Sequence, residues 1–177
     1  MRGWRGPLHA ATLDLHHFIE AETAVGRAMA GASPTPAQYL GWLSMKLAFA
    51  RMVHRHVPPA CRRADALSAA ITDMGERAWE FRAAEAHAAW IAEGAEDEQE
   101  RRRTGTMYVV CGAMFGGEEI ARKLAHTGLP TACLQIQDKA VELPFLHQLR
   151  QRADCILPAR RTFEAMVACC KEIEARA

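Results

Sequence analysis

The sequence predicts an all-α fold, a single-domain multi-helical bundle spanning residues 1–177, and three observations carry that expectation. Alanine, leucine, glutamate and arginine, all good helix formers, dominate the composition. No stretch alternates apolar and polar residues between turn signals, as a half-buried strand would. Glycine and proline fall mostly where helices should begin or end, dividing the chain into about six segments.

A first helix is expected from Pro7 to Ala30, with Pro7 suited to an initial turn and Gly31 to a C-terminal cap. Ser33-Pro34-Thr35-Pro36 supplies a capping hydroxyl and a proline for a second, which ends before Pro58-Pro59. A third region covers Asp65 to Glu93 with a bend at Gly75. The acidic and then basic run from Glu93 to Arg103 reads as a solvated helix end or loop. A fourth helix is expected from Thr106 to His126, closed by Gly128 and Pro130. Thr131 to Glu142 is ambiguous, Leu143 to Cys155 reads as helical, and Pro158 opens the last helix. There Phe163, Met166, Val167, Cys170 and Ile173 follow helical spacing, which predicts a packing role alone.

With a net charge of +1 and 7% aromatic residues, the chain offers neither a basic field for a phosphate backbone nor many stacking platforms. No nucleic-acid partner is expected. No apolar run approaches the roughly 18 residues that would cross a bilayer, so no membrane protein is expected. The opening residues lead into mixed polar sequence instead of an apolar signal core, which predicts a cytoplasmic chain. Its six cysteines show no CxxC pair or zinc spacing and are expected as reduced, buried thiols, with Cys111 alone near any chemistry.

Two segments differ from ordinary core helices. On a wheel of about 100° per residue, Leu8, Leu15, Ile19 and Gly26 share the buried stripe of the first helix. His16 lies roughly 80° from its centre, and His17 lies opposite and is expected in water. His9, Thr12, His16, Glu20 and Thr23 form a polar line along the edge of the apolar face, with Glu20 one turn from His16 and able to reach it. The fourth helix carries Gly112, Gly116 and Gly117 in its interior, each costing about 1 kcal/mol relative to alanine. Gly105, Val109, Gly112, Ala113, Gly116 and Ile120 cluster on one side, a smooth strip suited either to a flat ligand or to close helix packing. A histidine facing such a strip across a planar slot is the arrangement a haem needs.

These residues resemble the biliverdin-producing haem (heme) oxygenases, and more closely their bacterial phytochrome-associated branch. Leu8-His9-Ala10-Ala11-Thr12-Leu13-Asp14-Leu15-His16, followed by Glu20, is similar to the family's proximal pattern. Tyr108-Val109-Val110-Cys111-Gly112-Ala113-Met114-Phe115-Gly116-Gly117 is similar to its distal-helix signature, and Arg160 to Met166 to its closing helix. The chain departs from the pattern at His9, where a basic residue is usual, at Cys111 in place of glutamate, and at Ala113 in place of serine or aspartate. Trp79 to Glu100 matches poorly.

The resemblance implies a haem oxygenase-like fold and O2-dependent cleavage of haem to biliverdin, with release of CO and iron. Electrons would come from an external reductase, ferredoxin or flavodoxin, and a bacteriophytochrome is a candidate receiver of biliverdin. Haem would be both cofactor and substrate. His16 would bind the iron, Glu20 would fix its tautomer, and Gly112, Ala113 and Gly116 would form the catalytic face. His9, Thr12, Tyr108 and Gly117 complete the expected haem contacts, with Lys123, Arg150 and Arg152 as candidate propionate anchors. A haem-binding sensor or carrier that leaves its ligand intact is the alternative. A di-iron oxidase, which generally wants two Glu-x-x-His repeats, and a ligand-free interaction module are further rivals.

Overall fold

The computed structural model describes residues 6–177 apart from the side chains of Met114 and Phe115. The opening read as lacking a signal core falls mostly on residues 1–5, outside the described residues. Eight α-helices, and no strand, occur among the described residues.

Thr23 divides the expected first helix into α1 (Pro7–Glu22) and α2 (Ala24–Ala30). Its backbone is extended, and its hydroxyl donates to the Ile19 carbonyl at 2.7 Å while accepting the Gly26 N–H at 3.0 Å. The break demands glycine at 26, because a Cβ there would lie 1.8 Å from the Ile19 carbonyl oxygen. Arg27 reaches back to the exposed carbonyls of Ala21 and Glu22 that end α1.

Helix α3 (Pro36–Val53) starts as expected, on a capping box in which Thr35 and Gln38 exchange side-chain and backbone bonds. It stops short of Pro58, and a 3₁₀ turn covers Pro59–Cys61. The third region is two helices, α4 (Ala64–Asp73) and α5 (Arg82–Ala92), because Gly75 takes a left-handed backbone (φ +73°) and the chain leaves the helix there. Glu172 caps the start of α5 by accepting the N–H groups of Arg82 and Ala83.

Helix α6 (Glu96–Leu124) begins well before Thr106, so the run read as a loop or helix end is largely helical. Glu96, Asp97 and Glu98 suit the positive end of the helix dipole, and Asp97–Arg101 and Glu98–Arg102 pair one turn apart. Arg102 also lies over the Trp90 ring and donates to the last carbonyls of α5. The ambiguous segment resolves into a 3₁₀ turn over Ala132–Leu134 and helix α7 (Lys139–Arg150), capped by Asp138. The final helix, α8 (Ile156–Glu174), takes Pro158 in its first turn.

Every helix contributes to one continuous cluster of buried apolar side chains. Helix α3 is buried along most of its length, and α8 runs against α1, α3, α5 and α6.

Candidate functional site

Helices α1 and α6 both pack along α8 and both touch α7, whereas their direct contact with each other is slight. Two helices braced on common neighbours but not on each other leave a gap, here a cleft of about 280 Å³. Helix α1 forms one wall and α6 the other, with Phe163 of α8 and Arg150 of α7 completing the lining.

On the α1 wall, His16 is half-exposed, and its Nδ1 lies 3.6 Å from Glu20 Oε2. That separation is within ion-pair range and longer than a hydrogen bond. The His16 ring meets Phe163 edge-on, with centroids 6.1 Å apart. His9 stands two turns before it on the same wall. Thr12 is buried, donates to the Leu8 carbonyl at 2.8 Å, and sits 3.4 Å from the Tyr108 hydroxyl of the opposite wall. His17 is exposed, as the wheel requires, but at the rim of the cleft, its ring 6.3 Å from that of His16. Arg160 of α8 sets the rotation of α1 by donating to both Asp14 carboxylate oxygens and to the Ala11 carbonyl. The same bond to Arg160 holds the Asp14 carboxyl below its ordinary pKa.

On the α6 wall the glycines divide by what a methyl group would meet. A Cβ at Gly116 would meet nothing within 4 Å, and one at Gly112 only Leu146 Cδ1 at 3.9 Å. Both face the cleft, as does Ala113 between them. A Cβ at Gly105 would lie 2.6 Å from Pro158 of α8, and one at Gly117 2.6 Å from the Leu134 carbonyl oxygen. The strip that looked uniform therefore splits into packing glycines and cleft glycines.

Nine of the expected site residues converge: His9, Thr12, His16 and Glu20 from α1, Tyr108, Gly112, Ala113 and Gly116 from α6, and Arg150 from α7. Gly117 does not line the cleft, because its side of α6 packs on the 3₁₀ turn. Nor does Lys123, which donates to the Ala30 carbonyl and pairs with Glu119, two turns past Gly116. Arg152 pairs with Asp154 at 2.9 Å. Cys111 faces the interior against Cys61, and Arg63 and Glu142 act electrostatically on both thiols. All six cysteines are buried and free. Phe163, Leu13 and the rim position of His17 escaped sequence reasoning. Helical spacing marks Phe163 as inward-facing but cannot say that the space beside it is open.

Among the described residues, no group of three or more His, Cys, Asp or Glu side chains converges to hold a bare metal ion. The ligand set that a di-iron centre needs is therefore missing from them. No helix among the described residues is long and apolar enough to cross a membrane. Neither protein-family models nor curated proteins match the chain.

Proposed function

We propose that this chain is a haem oxygenase that binds haem between α1 and α6 and cleaves it to biliverdin. The observation supporting this reading most is the facing of His16, with Glu20 beside it, and the bare backbone of Gly112 and Gly116 across the cleft. A planar ring fits a wall on which a Cβ would meet open space, and one imidazole suffices as its protein ligand. When bound, haem supplies both the iron at which oxygen is activated and the macrocycle that is opened, with loss of CO and iron. Glu20 beside Nδ1 favours a proton on that nitrogen and leaves Nε2 for the iron. Arg150 and His9 are the cleft's candidate partners for propionates. Ala113 and the two glycines leave the α6 wall without a side-chain acid beyond Tyr108, so proton supply falls to water.

That last feature favours a second reading, a haem-binding sensor or carrier that leaves haem intact. Titration with haemin followed by reduction under air separates the two. An oxygenase loses the Soret band and yields biliverdin, a carrier keeps its spectrum, and absence of stoichiometric binding overturns both.

A further inference from the structure

Behind the α6 wall lies a second space, a partly open pocket of about 30 Å³, room for one or two water molecules. Ala113 borders both this cavity and the cleft, so one turn of α6 is the partition between them. Lys46 of α3 lines the cavity. Its Nζ donates to the Ala113 carbonyl at 3.5 Å and stands 4.5 Å from the centre of the Trp42 ring. It forms no ion pair among the described residues.

The other groups around the cavity do not neutralise it. Arg63 is a second cation, held by both oxygens of Glu142 at 2.7 and 2.8 Å, so that pair is internally balanced. The Cys133 thiol is pushed up to about 11 by burial and stays neutral. Val110, Ala113 and Gly117 of α6 and Met166 of α8 bring no charge. Burial lowers the pKa of Lys46 to about 8, so it is still mainly cationic at neutral pH.

We propose that Lys46 is a positioning residue of the cleft, an uncompensated cation behind Ala113 that biases the α6 side of the site toward anionic ligands. This rests on the haem reading of the cleft. A partly buried charge one helix-width behind the wall acts with less screening than one in open solvent, and it gives this small-residue stretch of α6 a positive potential that Gly112, Ala113 and Gly116 do not supply.

Azide, an anion at neutral pH, is the probe, added at pH 7 to haemin-loaded wild-type, Lys46→Met and Lys46→Arg proteins. Removing the charge is expected to weaken azide on the order of tenfold, the effect of one unit charge at about 10 Å with an effective dielectric of about 20, while Lys46→Arg stays within about twofold. Haemin affinity is expected to change less than about threefold in both. Because coupling is reciprocal, azide should also raise the Nζ pKa in wild-type protein by about one unit, read by NMR of labelled lysine without any variant. Unchanged azide affinity in Lys46→Met, or an Nζ titration that azide does not move, overturns the role of Lys46 and leaves the haem site standing. Wild-type protein that takes up no haemin overturns the haem site itself.

Discussion

The ring of His16 lies edge-on to that of Phe163, 6.1 Å away, so a side chain of α8 fixes the flank of the imidazole that α1 offers to the cleft. His17, the next residue, stands exposed at the rim, where its ring meets the edge of His16 and not the α8 side chain.

Replacing the two histidines in turn tests which is the ligand. His16→Ala is expected to abolish the axial-histidine spectrum of haemin-loaded protein, and His17→Ala to leave it in place. Loss of that spectrum in His17→Ala alone would reverse the assignment.

The glycines of α6 should separate by function. Gly105→Ala and Gly117→Ala each force a Cβ to 2.6 Å from a neighbour and are expected to cost about 1 to 3 kcal/mol in urea unfolding. Gly116→Ala meets nothing and should gain up to about 1 kcal/mol from helix propensity. Gly116→Leu should then fold well yet impair haemin uptake or oxygen binding, whereas unimpaired turnover would count against the cleft wall.

Arg63 and Glu142 form a buried pair, and Glu142 also accepts the N–H groups of Gln137 and Asp138 that precede α7. Removing one charge strands the other, so Glu142→Gln is expected to destabilise by about 3 to 5 kcal/mol. Calorimetry should show a lowered Tm, and combining Arg63→Met with Glu142→Leu should recover much of the loss.

After α2 the chain turns through Ala32, a non-glycine residue at φ +56°, with Ser33 N–H bonding the Ala28 carbonyl at 3.0 Å. This left-handed position closes a Schellman motif and costs an L residue about 1 kcal/mol that glycine avoids. Ala32→Gly is therefore expected to raise stability by about that amount in urea unfolding, against the usual direction for glycine.

His87 is buried against Thr106 and Thr162, and burial, then the charge of Arg161, lowers its pKa to about 4. The unfolded chain takes up this proton below about pH 6.5, while the native state resists until about 4. The stability it contributes is complete above 6.5 and is lost as pH falls toward 4, by at most about 3 kcal/mol. Urea midpoints measured across that window should flatten in His87→Phe.

Much of the helical content was legible because its signals are local. Thr35-Pro36 started α3 where a capping box forms, and Pro7 opened α1. Boundaries failed where a distant group supplied the cap or the brace. Arg102 and its salt-bridged turn extend α6 toward α5, and Glu172 of α8 stabilises a helix start at Arg82 that no local residue marks.

Spacing within single helices was enough to give the helical character of most segments, the polar line through His16 and Glu20, and the side-chain-free turns at Gly112 and Gly116. Which glycines face open space, that Phe163 backs the imidazole, and that Lys46 stands behind Ala113 emerge from the packing of the helices. Those relations join residues far apart in the chain, and they exist because α8 holds α1 and α6 side by side without letting them close.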